Sequence, residues 1–178
     1  MIAKSILFKN PDLFKLISKV YSESMKVEVF SDGSCIGNPG PGGWAALVRA
    51  GKMAYRIQGG EPYTTNNRME MLGSIWGIKT AMAEFPDFTE ISVTTDSSLI
   101  VDTMNKNWKK KKNQDLWEDL AKLIKGHKVT WHWVRGHNGH KENEDCDSRA
   151  TAESAKQQKI FRKGGGAMAF HKDANTLF

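Results

Sequence analysis

Hydrophobic and polar positions change period along the chain. From Lys26, the segment KVEVFSD alternates apolar and polar residues and predicts a strand ending at Asp32. The stretch CIGNPGPGG follows and reads as a loop dense in Gly and Pro. Trp44–Arg49 and Met53–Gln58 predict two more strands, with Ala50-Gly51-Lys52 as the hairpin turn. The period then becomes helical. Met69, Leu72, Ile75, Trp76, Met82 and Phe85 mark one face of a long helix, with N-cap chemistry at Thr64–Asn67 and a stop at Pro86. Ile91–Asp96 predicts a fourth strand and Ser97–Met104 a short helix. The basic run Lys106–Lys112 leads to a helix over Asp115–Lys125, a fifth strand at Val129–Val134, and a last helix from about Glu142 to Gln158. Three strands followed by alternating helix and strand predict an α/β domain, a mixed sheet flanked by helices.

The ends read differently. Residues 1–24 form a basic appendage, where Leu13, Phe14, Ile17, Val20 and Tyr21 predict a short helix over Pro11–Tyr21. Residues 25–158 form the domain, and residues 159–178 a basic tail loosened by the triple glycine at 164–166.

At 178 residues the chain has the size of one domain with a sizeable core. No apolar run approaches the ~18 residues that span a bilayer, and the N-terminus has no secretory h-region. Cys35 and Cys146 lack metal-site spacing and read as structural thiols. The expectation is a cytoplasmic monomer with no membrane contact. Net charge is +6, and its distribution matters more than its size. Residues 25–154 carry 17 basic and 17 acidic groups, so the excess sits at the two ends. Basic ends suit a polyanionic partner.

Asp32 and Asp96 each end a predicted strand, and sites in open α/β sheets form beyond such ends. Glu70 and Asp147 fall in the first turns of two helices that could aim at the same point. Near Asp147, the acids Glu142, Glu144 and Asp145 compete for the same role, and the residues alone do not choose among them. Several carboxylates in one cleft repel each other unless a cation joins them. Oxygen donors select Mg²⁺, with Mn²⁺ as a substitute, over zinc. Two such ions suit phosphodiester hydrolysis.

The segments DGSCIGNPGPGGW (32–44), TTNNRMEM (64–71), TTDSS (94–98), NWKK (107–110), DLW (115–117) and WHWVRGHNGHKENEDCD (131–147) occur in this order. Together they resemble the bacterial-type ribonuclease H family, type 1, over about residues 25–154. The resemblance implies a five-stranded sheet of order 3-2-1-4-5 with strand 2 antiparallel. It implies an endonuclease that cuts the RNA strand of RNA–DNA hybrids with two Mg²⁺ ions, and a part in removing RNA primers and hybrids during replication. It places the four metal-binding carboxylates on Asp32, Glu70, Asp96 and Asp147, and the catalytic histidine on His137. Asn38, Thr65 and Asn66 match positions that hold the nucleic-acid backbone, and Ser34 and Asn67 match positions associated with the RNA strand and its 2′-hydroxyls.

The glycines of residues 33–43 read as sites of close backbone approach to a polyanion. The basic helical handle that some relatives insert after NWKK is reduced here to KKNQ (111–114). Trp108 then reads as either a stacking residue for the DNA strand or a core tryptophan, with Lys109 and Lys110 contacting phosphates. Ser98 stands where the family commonly has a glutamine. A DNA-cutting enzyme of the same broad fold and a non-catalytic hybrid-binding module are the competing readings.

Overall fold

The computed structural model describes residues 25–106 and 108–163. The predicted helix over Pro11–Tyr21 and the tail beyond Lys163 lie outside them. The elements are β1 (Lys26–Cys35), β2 (Gly40–Ala50), β3 (Met53–Thr64), α1 (Asn66–Glu84), β4 (Glu90–Thr95), α2 (Ser98–Lys106), α3 (Gln114–Ile124), β5 (Val129–Trp133) and α4 (Lys141–Lys163). They build one mixed sheet of order β3-β2-β1-β4-β5. The β1–β2 and β2–β3 pairs are antiparallel, and β1–β4 and β4–β5 are parallel. The mixed sheet is the one the periodicity predicts, and its strand order is the one the family resemblance implies.

The sheet buries both faces. On one, Val27, Val29, Val48, Ile91, Val93 and Trp131 pack against α1, α2 and α3. On the other, Phe30, Ala45 and Leu47 pack against Cys146 and Ala150 of α4. Cys35 and Cys146 are both free thiols, and burial pushes the Cys146 thiol up to about 12. Among the described residues no helix is long and apolar enough to cross a membrane.

Several elements differ from expectation, among them β3, which continues to Thr64, six residues beyond Gln58. The Gly/Pro stretch is mostly ladder, with Ser34 paired to Gly43 and Cys35 to Gly42, so only residues 36–39 form the turn. Glycines erase the period-2 signal without preventing pairing. Gly33 serves close packing within the fold: a Cβ there would lie 2.2 Å from the backbone nitrogen of Glu70. That contact draws the start of α1 against the end of β1.

Trp76, assigned by periodicity to the core face of α1, is 44% exposed. Its ring stacks flat on Trp44, 6.0 Å between centroids. The buried stripe of α1 runs instead through Met69, Gly73, Gly77, Ile78 and Ala81. Small residues let the helix approach β1 closely, and they carry little weight in a hydrophobic pattern. The last helix also continues to Lys163, five residues beyond Gln158.

Candidate active site

The parallel ladder of β1 and β4 ends its pairing at Phe30 opposite Thr94. Asp32 and Asp96 each follow two residues later, so two neighbouring strands present a carboxylate at the same end. Glu70 enters from the first turn and a half of α1, held against β1 by Gly33. Asp147 enters from the second turn of α4.

Their charges couple through Asp32. Asp32 is pushed up to about 8, first by burial, then by Asp96, with Asp147 and Glu70 adding to it. The Gly33 N–H donates to its Oδ1 at 2.7 Å and opposes the shift. Glu70 is raised by burial and by Asp96, against hydrogen bonds from Ser97 Oγ (2.5 Å) and Asn66 Nδ2 (2.8 Å). Burial also raises Asp96, and Asp147 adds to the shift while Asn143 and His137 oppose it. Buried like charges of this kind are unfavourable as an isolated set.

A divalent cation would relieve them, and the donor set is all oxygen. Among the described residues no three Asp, Glu, His or Cys side chains close into a metal cage. Mg²⁺ does not require one, because it retains waters and is completed by one or two carboxylates and substrate phosphates. The four carboxylates therefore fit a Mg²⁺-type site that is open toward substrate.

The loop from β5 to α4 borders the cleft. His137 adopts a left-handed backbone, φ 52°. Its Nδ1 lies 3.7 Å from Asp147 Oδ2. Gly136 abuts Asp96, and a Cβ there would fall 2.4 Å from Oδ2. Trp133 Nε1 donates to the Asp96 carbonyl at 3.0 Å.

The competing acids point elsewhere. Glu142 pairs with Arg49 (3.0 Å), Asp145 with Arg56 (3.1 Å), and Glu144 accepts from the Gly139 N–H (2.7 Å). Asp147 is the member of this group whose charge reaches Asp32 and Asp96.

The expected substrate residues fall in two places, the start of α1 with the β1–β2 turn, and a separate groove. Asn38 Oδ1 accepts the Asn66 N–H at 3.0 Å, joining the β1–β2 turn to the start of α1. Thr65 is the N-cap residue of α1, with no side-chain capping bond, which leaves its hydroxyl available to a ligand. Ser34 lies beside Ser154 of α4, 3.4 Å between hydroxyls. Asn67, Trp108, Lys109 and Lys110 line one groove of about 350 Å³, together with Trp117. Trp108 is 50% exposed, so it belongs to this groove and not to the core. Ser98 is the exposed first residue of α2.

Sequence reasoning missed Asn143, Ser97 and Trp133. Asn143 is buried, and its Nδ2 lies 3.5 Å from Asp32 Oδ2 while its Oδ1 has no partner. The signal was present: Asn143 is four residues before Asp147 and shares its helix face.

Comparison with known proteins matches this geometry. The RNase H family profile matches residues 24–155. A ribonuclease H from Erythrobacter litoralis is 47% identical over 146 residues, covering 75% of this chain and 98% of the relative. One from Syntrophotalea carbinolica is 46% identical over 142 residues, covering 72% and 90%. Among solved structures, the N-terminal RNase H domain of a Mycobacterium tuberculosis protein superposes with a TM-score of 0.68 at 27% identity, covering 77% of this chain and 99% of that one. LC11-RNase H1, solved in complex with an RNA/DNA hybrid, shares the fold with a TM-score of 0.64 at 20% identity, covering 73% and 97%. The matched span holds the whole sheet, all four carboxylates and His137, and the chain belongs to the bacterial-type RNase H family, hydrolases that act on RNA–DNA hybrids.

Proposed function

We propose that this protein is an endonuclease that hydrolyses the RNA strand of RNA–DNA hybrids through two Mg²⁺ ions, leaving 3′-hydroxyl and 5′-phosphate ends. The observation that carries the reading is the convergence on the buried Asp32 of the charges of Asp96, Asp147 and Glu70, which come from the end of β4, from α4 and from α1. Bound there, divalent ions supply Lewis-acid stabilisation of the charge that builds on the phosphodiester oxygens, with Mn²⁺ able to substitute for Mg²⁺.

The chain's own residues do the rest. Asp32, Glu70, Asp96 and Asp147 would hold the cations, with Ser97 and Asn66 orienting Glu70 and Asn143 orienting Asp32. His137, beside Asp147 on a loop with glycines at 136 and 139, gives a proton to the departing 3′ oxygen in this reading. Asn38, Thr65 and Asn66 seat the sugar–phosphate backbone. Ser34 and Asn67 flank the cleft as polar groups that can test for the 2′-hydroxyl, the feature that separates RNA from DNA. Trp108, Lys109 and Lys110 receive the DNA strand in their groove. The hybrid-bound structure of LC11-RNase H1 supports a hybrid as the ligand of this fold. We assign the protein to removal of RNA primers and stray hybrids during replication, acting as a cytoplasmic monomer.

Matched RNA–DNA, RNA–RNA and DNA–DNA duplexes, each incubated with and without Mg²⁺, test the assignment. Cleavage confined to the RNA strand of the hybrid and dependent on the cation is the expected result. Cleavage of DNA–DNA would instead favour a DNA-cutting enzyme of the same fold, and binding without cleavage a non-catalytic module.

A further inference from the structure

Helix α4 continues past residue 155, where the family match ends, to Lys163. The added turns carry Lys156, Lys159, Arg162 and Lys163 and no acid. The path of the helix fixes where these charges go. Ser34, Gly43 and Gly60 lie in one row across β1, β2 and β3. Helix α4 crosses that row: a Cβ on Gly43 would touch the Ser154 nitrogen, and one on Gly60 would touch Gln157. Seven residues beyond Ser154, about 10 Å of helix, Phe161 stacks on Tyr63 with 6.1 Å between centroids. Tyr63 is the penultimate residue of β3, at the same end of the sheet as Asp32. The last turns of α4 therefore overhang the end of the sheet that carries the site.

With Ser154, Gln157 and Phe161 toward the sheet, helical spacing turns Lys156, Lys159 and Lys163 outward and Arg162 to one flank. Lys156 pairs with Glu153 at 3.1 Å. Lys159, Arg162 and Lys163 are exposed and make no ion pair among the described residues. The lysine-lined groove with Trp108 belongs to the α1–α2–α3 side, so exposed cations lie on both faces of the sheet.

The geometry points to a second phosphate-binding surface, in which Lys159, Arg162 and Lys163 of the α4 extension hold the hybrid's sugar–phosphate backbone beyond the catalytic cleft. This rests on the hybrid-cleaving reading above. The charges meet a polyanion already seated at the same end of the sheet. They offer ammonium and guanidinium groups without a base-reading frame, so the contact is independent of sequence.

The test compares the full chain with K159Q/R162Q/K163Q and with a control of equal charge loss, K52Q/K122Q/K125Q, on hybrids of about 20 and about 8 base pairs. For the extension variant on the long hybrid, KM is expected to rise about 5- to 10-fold at low salt with kcat unchanged. The slope of log KM against log salt should fall by about 2–3. The short hybrid and the control variant should show neither effect. Unchanged KM and slope, an equal effect from the control, or an equal effect on the short hybrid would overturn the inference, leaving an acidic protein as the partner to seek. A wild-type chain that cleaves no hybrid would defeat the underlying reading instead.

Discussion

His137 Nδ1 stands 3.7 Å from Asp147 Oδ2, across the gap between the β5–α4 loop and the second turn of α4. The two residues are ten positions apart in sequence, yet their contact sets an imidazole ring at the rim of the carboxylate cluster. A positioned general acid contributes about 10²- to 10⁴-fold to rate. His137→Ala is therefore expected to lower kcat by about that factor with little change in KM. Steady-state kinetics on a fixed hybrid decide this, and an unaltered kcat would remove the residue from the chemistry.

Gly136 packs directly against the Asp96 carboxylate. A methyl group there would lie 2.4 Å from Asp96 Oδ2, so Gly136→Ala must displace either the loop or the carboxylate. Overpacking of this kind costs about 1–3 kcal/mol. The expected outcome is a folded protein with kcat reduced tenfold or more, because a small misplacement of a reacting group is costly. Activity near wild type alongside a normal melting curve would show that Asp96 tolerates the shift.

The buried carboxylates make stability depend on pH. Asp32 is raised to about 8, and Glu70 and Asp96 are raised as well. Between about pH 4 and pH 8 the folded state thus binds more protons than the unfolded chain, and stability falls as pH rises. In EDTA, Tm is expected to decline across that window and to recover when Mg²⁺ is added. Asp32→Asn removes the largest of these groups, so it should flatten the decline and raise Tm by about 5 °C or more near pH 8. A Tm in EDTA that rises with pH, or an Asp32→Asn protein no more stable than wild type, contradicts the electrostatic account.

The groove of Asn67, Trp108 and the lysines makes a separable contribution. Removing two phosphate contacts with K109Q/K110Q is expected to raise KM and lower the salt slope by about 2, with kcat preserved. Trp108→Ala should weaken hybrid binding by about 1–3 kcal/mol through lost stacking. A competition titration at two salt concentrations distinguishes these effects, and equal binding by all variants would place the DNA strand elsewhere.

Much of this was legible in the chain. Alternation located β1 and β4; Asp96 directly follows β4 as expected, whereas β1 does not end at Asp32 but runs three residues further, to Cys35, because the glycines of β2 pair with it. The motif order brought Glu70, Asp147 and His137 into the same assignment. What escaped reading depended on contacts distant in sequence. The buried stripe of α1 could not be seen because Gly73 and Gly77 make it, leaving Trp76 to stack outside on Trp44. The strand character of residues 40–43 was hidden by glycines without a face to display. Asn143 reads as an ordinary helix residue until folding places it beside Asp32.

Single-turnover cleavage of an RNA–DNA hybrid in Mg²⁺ by wild type and Asp32→Asn, with circular dichroism on both, tests the cation-binding cluster most directly. Asp32→Asn keeps the shape of the side chain and removes its charge. A native spectrum with cleavage abolished is the predicted result. A folded Asp32→Asn protein that cuts the RNA strand at the wild-type rate would contradict it.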